Sequence, residues 1–107
     1  ALIRDRATTM TTRADDWRTA DTEALAEAIL TLDNPDDVQT FLRDVCTLRE
    51  LHDLASRWHI ARLLEQGIPQ RQISQELGTS TSTETRVNHW LNHGTGGYRL
   101  VLDKPAS

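Results

Sequence analysis

The feature that most constrains this sequence is a pair of short helical segments on either side of one glycine. In the first segment, Gln70–Leu77, apolar residues recur one helical turn apart. Gly78 follows it, and glycine readily adopts the left-handed conformation that ends helices. The hydroxyl residues 79–81 offer N-caps for a second helix, which reaches about residue 92 or 93. The pattern predicts a helix–turn–helix over about residues 68–93.

The second helix of this pair has an apolar side and a polar, uncharged side. Val87, Trp90 and Leu91 form the inner stripe. We call the opposite side the reading face, because such side chains can contact base edges and phosphates without large desolvation costs. It consists of Thr81, Ser82, Thr85, Asn88, His89 and Asn92. Arg71 and Arg86 flank this face, and each is a candidate phosphate contact.

A structural interpretation of the same residues stays open. Short helices joined by a glycine turn occur in many helical proteins that never touch DNA, and a cluster of hydroxyls serves equally well to cap helices. The pattern alone therefore predicts a helix pair and only permits DNA binding.

Upstream, the periodicity predicts three further helices and no strand. The first runs from about Asp15 to Leu32, the second begins at Pro35, and the third extends from a capping box at Thr47 to about Gly67. The third helix is apolar around most of its circumference, which indicates neighbours on several sides, some of them from a second subunit. The second is expected to bury one stripe: Val38, Phe41, Leu42 and Val45. The fold class is all-α.

Length and composition indicate one soluble, cytoplasmic domain. The 107 residues suit one modest core, and no apolar run approaches the roughly 18 residues that a membrane span requires. Residues 1–12 lack the apolar segment of a signal peptide and are interpreted as a flexible arm before a domain at 13–107. A lone cysteine, Cys46, offers neither a disulfide framework nor a thiolate metal set.

The charge distribution permits a polyanionic partner for one half of the chain. The net charge is −4, but residues 13–56 carry −7 and residues 57–107 carry +2. The acidity thus lies outside the predicted helix–turn–helix, whose half is mildly basic.

Several short motifs between about Glu23 and Lys104 carry a family resemblance. They are Asp44-Val45-Cys46-Thr47, Gln75-Glu76-Leu77-Gly78, Arg86-Val87-Asn88 and the Gly-rich string Leu91-Asn92-His93-Gly94-Thr95-Gly96-Gly97-Tyr98. With these motifs the sequence resembles the tryptophan-repressor-like superfamily, and most closely its YerC/YecD-type branch. The resemblance implies an intertwined, all-helical homodimer whose two reading heads enter successive major grooves. Two-fold symmetry then predicts a pseudo-palindromic operator with half-sites about one DNA turn apart.

The resemblance also implies roles for particular residues. The family's phosphate and base contacts fall on Gln70, Arg71, Thr81, Ser82 and Thr85. With the residues that adjoin them, the predicted DNA-binding set is Gln70, Arg71, Ser80, Thr81, Ser82, Thr85, Arg86 and His89.

In the tryptophan-binding branch an amino-acid corepressor lies among three polar side chains, which match Arg57, Thr83 and Arg86. Each has a plainer interpretation, as a solvated helix charge, a capping hydroxyl and a phosphate contact respectively. An amino-acid corepressor is therefore an expectation that only the resemblance supplies.

Two departures from the family weigh against tryptophan sensing. Val87 stands where the tryptophan binders have a glycine that leaves room for the ligand. Glu84 stands where the family usually has an apolar residue, and burying an unpaired carboxylate costs several kcal/mol. One explanation makes Glu84 the capping-box partner of an N-cap at Thr81. The other pairs its carboxylate with Arg57 or Arg86.

The remaining candidate features predict packing rather than chemistry. His89 and His93 have the spacing of a metal-binding pair, but no third ligand is evident, so no metal is expected. The three tryptophans, Trp17, Trp58 and Trp90, are expected in the core. Gly94–Gly97 lacks the Lys-Ser/Thr of a phosphate-binding loop and is expected to turn the chain. The residues expected to pack back on the core after that turn are Tyr98, Leu100, Val101 and Leu102.

The sequence therefore predicts a transcriptional regulator, a repressor that binds double-stranded DNA as a homodimer, with a small amino-acid-like effector. No nucleophile–base set supports an enzyme. The alternative is a helical interaction module whose helix–turn–helix docks on a protein, which the acidic N-terminal half keeps open.

Overall fold

The computed structural model describes residues 17–105, and six α-helices make up most of this part of the chain. No strand occurs within these residues, which confirms the all-α prediction. The predicted arm at 1–12 lies outside the described residues. The helices are α1 Ala20–Leu30, α2 Pro35–Val45, α3 Leu48–Glu65, α4 Gln70–Leu77, α5 Thr81–His93 and α6 Gly97–Leu102.

The chain divides into two units, the first of which ends at Val45 and contains α1 and α2. A capping box begins α1: the Thr19 hydroxyl accepts from the Thr22 N–H at 3.1 Å, and the Thr22 hydroxyl accepts from the Thr19 N–H at 2.8 Å. This reciprocal cap makes the helix start at Ala20, so the predicted start near Asp15 is wrong.

The start of α2 follows its prediction. The Asn34 side-chain oxygen accepts from the Asp37 N–H at 2.8 Å, and Pro35 occupies the first helical position.

Apolar side chains of the first unit remain partly in solvent. Val38, Phe41 and Leu42 are half-buried, but Val45 is 54% exposed, so the predicted stripe is buried only in part. Trp17 is 50% exposed, with the Arg18 guanidinium 4.5 Å from its ring centre, rather than in a core. Two helices in one chain lack the surface needed to enclose these side chains.

The second unit begins at Cys46 and contains α3 to α6. The predicted capping box begins α3, since the Thr47 hydroxyl accepts from the Glu50 N–H at 3.0 Å and Glu50 returns the bond at 2.8 Å. Gly67, with φ +87°, turns the chain after α3 as expected.

The core of this unit joins three helices. Its fully buried residues are Ile60 and Ala61 from α3, Ile73 from α4 and Val87 from α5. A rim of half-buried side chains surrounds them: Trp58, Leu63, Leu64, Ile68 and Tyr98. Trp58 thus packs as predicted, and the core fixes α4 and α5 against α3.

The C-terminal helix packs through one side only. The Tyr98 ring stacks on Trp58 with centroids 6.4 Å apart, and Arg99 Nη2 lies 2.6 Å from Glu65 Oε1 on α3. Leu100 is 71% and Val101 57% exposed, so the expectation that these two residues pack on the core is wrong. A helix of six residues has too few turns to bury more than one face.

We expect Ile60→Ala to lower the free energy of unfolding by about 2–5 kcal/mol, because it leaves a cavity where three helices meet. Urea denaturation measures the change. The matched control is Gln75→Ala, an exposed position on α4, with an expected change within about 0.5 kcal/mol. Equal losses in the two variants would contradict the assigned core.

Candidate nucleic-acid interface

The turn between α4 and α5 is held by backbone conformation and by a side-chain bond. Gly78 has φ +69°, and its N–H donates to the Ser74 carbonyl at 2.9 Å. The Ser74 hydroxyl donates across the turn to the Thr79 carbonyl at 2.9 Å. A Cβ at Gly78 would meet no atom within 4 Å, so the conformation and not a lack of space calls for glycine there.

Helix α5 begins at Thr81 with Ser80 as its N-cap. The Ser80 hydroxyl accepts from the Thr83 N–H at 3.3 Å and lies 3.0 Å from the Ser82 hydroxyl and 3.0 Å from that of Thr83. The predicted helix–turn–helix is therefore present, with its cap among the expected hydroxyls.

The reading face lies mostly in solvent. Its residues Thr81, Ser82, Thr85, His89 and Asn92 are exposed, and Asn88 is half-buried. Five of the predicted DNA-binding residues, with Trp90, line an open depression of about 590 Å³: Thr81, Ser82, Thr85, Arg86 and His89.

The remaining predicted contact residues adjoin this depression or lie on α4. Ser80 is the exposed N-cap, and Arg71 is exposed on α4. Gln70 is half-buried, and its side-chain oxygen accepts from the Thr85 hydroxyl at 3.3 Å, which joins the first turn of α4 to α5.

Trp90 corrects the predicted inner stripe of α5. The stripe places it beside Val87 and Leu91, yet it is 52% exposed and is not part of the buried core. Its ring meets the His89 imidazole edge-on, with centroids 5.3 Å apart.

The two histidines of α5 lie side by side, with ring centroids 5.2 Å apart. Within residues 17–105, no group of three or more His, Cys, Asp or Glu side chains is arranged to hold a metal ion.

The three predicted effector-binding residues line one cavity between α3 and α5. This effector cavity measures about 340 Å³, and Arg57, Thr83 and Arg86 all line it. The other lining residues are Arg49, Asp53, Ser56, Thr79, Ser80, Ser82 and Val87. Arg49 and Asp53 were not among the predicted residues, although successive spacings of four place Arg49, Asp53 and Arg57 on one face of α3.

Glu84 is fully buried, and both sequence-based explanations of it are wrong. Because Ser80 is the N-cap, Glu84 occupies the fourth helical position and faces inward with Val87, so it closes no capping box. Neither Arg57 nor Arg86 pairs with it. Its Oε2 accepts a hydrogen bond from the Thr79 hydroxyl, and Oε1 has no partner among the described residues.

An all-helical unit that presents an exposed polar helix beyond a glycine turn has the architecture of a helix–turn–helix. The family model of the Trp repressor protein matches residues 20–106 of this chain. The chain therefore belongs to the Trp repressor family, a regulatory and non-enzymatic family, and is a DNA-binding regulator in that broad sense.

Relatives and solved structures agree with this membership. The uncharacterized protein YerC of Bacillus subtilis is 36% identical over 90 residues, which cover 84% of this chain and 86% of YerC. A Trp operon repressor homolog of Chlamydia trachomatis serovar D is 40% identical over 83 residues, with coverages of 73% and 88%.

Two solved structures superpose closely on the chain. The crystal structure of a putative Trp repressor from Staphylococcus aureus has a TM-score of 0.76 at 35% identity, covering 87% of this chain and 93% of that one. A TrpR-like protein from Eubacterium eligens has a TM-score of 0.74 at 37% identity, with coverages of 80% and 89%. The predicted resemblance is confirmed.

No helix within the described residues is both long and apolar enough to cross a membrane.

We expect Thr79→Val to destabilise the protein by about 1.5–3 kcal/mol, because it removes the hydrogen bond to a buried carboxylate. Glu84→Leu should leave stability equal or higher, since an apolar side chain replaces a poorly satisfied polar group. In the double variant the loss caused by Thr79→Val should disappear. Chemical denaturation of the four proteins gives the coupling energy. A loss of the same size with and without Glu84 would show that the Thr79–Glu84 bond contributes nothing.

Proposed function

We propose that the chain is a cytoplasmic repressor that binds a pseudo-palindromic operator as a homodimer. The observation that carries this proposal is the exposed reading face on α5, a helix whose opposite side is anchored by buried Val87. Uncharged hydroxyl groups at the start of such a helix suit hydrogen bonding to base edges in the major groove.

The side chains around this face divide into two roles. Arg71 on α4 and Arg86 on α5 are exposed cations, and we assign them to phosphate contacts that position the protein on any sequence. Thr81, Ser82 and Thr85 belong to the face itself, line the open depression and are assigned to base contacts.

The outer members of the predicted set support these two roles. Ser80, the N-cap just before the face, and His89, on its later half, are exposed and are assigned to the sugar–phosphate backbone. Gln70 is assigned to the positioning of Thr85 through the hydrogen bond between them.

Unburied apolar surface supports the homodimer. Leu30 is 82% exposed, and Trp90, Leu100 and Val101 each exceed 50%, so these side chains leave apolar area available for a subunit contact. Association through such surface removes it from water, and a two-fold dimer presents two reading faces to two half-sites.

The effector cavity supports regulation by a small molecule. It is lined by Arg57 of α3 and by Thr83 and Arg86 of α5, so one ligand would contact both the core helix and the reading helix. A ligand that binds one orientation of α5 better than another shifts the population toward it.

We expect a random-sequence DNA selection at low salt to enrich a palindrome, and two variants to separate the roles of the side chains. Arg71→Ala should weaken binding to every sequence and reduce the salt dependence by about one released counterion, because it removes a phosphate contact. Thr85→Val keeps the shape of the side chain but loses the hydroxyl, and should relax base preference at one position of each half-site.

Two results would contradict this proposal. If no palindrome is enriched, the helix–turn–helix docks on something other than DNA, which favours the protein-interaction alternative. If Thr85→Val weakens binding equally on all sequences, the assignment of roles is wrong.

Light scattering should give about twice the 12.1 kDa mass of one chain. Because burial of apolar surface is not screened by salt, the dimer mass should persist at high ionic strength. A stable mass near that of one chain would exclude the homodimer.

A further inference from the structure

We propose that the effector cavity takes a small polar dianion, a dicarboxylate or a phosphate monoester, rather than an aromatic amino acid. This inference rests on the proposed regulatory function and names the ligand class for the same cavity. Its volume of about 340 Å³ lies in the range of small-molecule sites.

The charges that line the cavity are strongly unbalanced. Arg49 and Arg57 come from one face of α3, and Arg86 comes from α5 across the cavity. Asp53 is the single carboxylate in the lining. Three guanidiniums against one carboxylate leave a formal charge of two positive, which a ligand carrying two negative charges neutralises.

The three guanidiniums also keep their hydrogen-bonding capacity free. Within residues 17–105, none of Arg49, Arg57 and Arg86 lies within ion-pair distance of a carboxylate. Asp53 is one helical turn from both Arg49 and Arg57, yet it pairs with neither. The planar fork of an arginine matches carboxylate and phosphate oxygens in bidentate geometry, so this unused set favours oxyanions.

Hydroxyl groups complete a polar lining. The hydroxyls come from Ser56, Ser80, Ser82 and Thr83. Thr79 also lines the cavity, and its hydroxyl donates to Glu84. Hydroxyls donate to anion oxygens without adding charge, and they tolerate several ligand shapes.

The lining offers little to an aromatic ring. Val87 is the one apolar residue among the ten that line the cavity. Because it is only 1% exposed, it offers almost no apolar surface to a ligand. An indole gains its binding energy by burying apolar area at about 25 cal/mol per Å². An indole placed against arginines and hydroxyls buries little apolar area and gains little binding energy. The arginines and hydroxyls would also lose hydrogen bonds to water that the indole ring does not replace.

The test is isothermal titration calorimetry on the full chain without DNA, in a chloride buffer, with succinate, inorganic phosphate and L-tryptophan as separate probes. We expect at least one of succinate and phosphate to bind, and tryptophan to bind more weakly than the tighter of the two anions. The succinate and phosphate arms distinguish a dicarboxylate from a phosphoryl ligand.

A matched pair of variants locates the binding. Arg49→Gln should weaken anion binding by more than about tenfold, the effect of losing one charge-assisted hydrogen bond. Arg62→Gln removes the same charge from an exposed position on α3 outside the cavity lining and should leave anion affinity unchanged. Arg49 has no role in the proposed DNA contacts, so both variants can also be assayed on DNA.

Three outcomes would overturn the inference. The first is that neither anion binds, and the second is that tryptophan binds more tightly than both. The third is an equal loss in the two variants, which would indicate unspecific attraction to a cationic surface. If neither anion binds but Arg49→Gln weakens DNA binding, the cavity serves a DNA phosphate and the proposed function survives without this ligand.

Discussion

The packing of α5 onto α3 and α4 is the contact on which the rest of the second unit depends. Val87 meets Ile60, Ala61 and Ile73 in a core of four fully buried apolar residues. Because that core is so small, each member carries a large share of the energy that fixes the angle of α5. The direction in which the reading face points is therefore set by side chains on the opposite side of the same helix.

Glu84 shows what a polar group does inside such a core. Its carboxylate lies one turn before Val87, fully buried, and accepts a hydrogen bond from Thr79 in the turn between the two helices. The carbonyl of Thr79 in turn accepts a hydrogen bond from the Ser74 hydroxyl. The hydrogen-bonded chain Ser74–Thr79–Glu84 thereby ties both helices of the motif together. The same Thr79 lines the effector cavity, so the turn, the buried carboxylate and the cavity share one residue.

The distribution of charge along the chain is more informative than the net charge. The net charge of −4 conceals an acidic segment at 13–56 and a mildly basic one at 57–107. Arg86 lines both the depression on α5 and the effector cavity, and Arg49, which belongs to the acidic segment, lines the cavity together with Arg57. Position relative to a surface, and not the summed charge, decides which partner each arginine suits.

Local signals in the sequence determined α2 to α5, the caps of α3 and α5, and the motif. The Thr47–Glu50 capping box, the left-handed turn at Gly78 and the hydroxyl cap of α5 depend only on neighbours within a turn or two, so they were readable from spacing. Only the tertiary structure decided which side chains are buried and which residues line the same cavity. Trp90 and Val101 have the right helical phase yet remain exposed, because burial depends on the surface that other helices supply. The surroundings of Glu84 and Arg49 were decided in the same way. Glu84 contacts Thr79 in the turn before α5, and Arg49 shares a cavity with residues of α5.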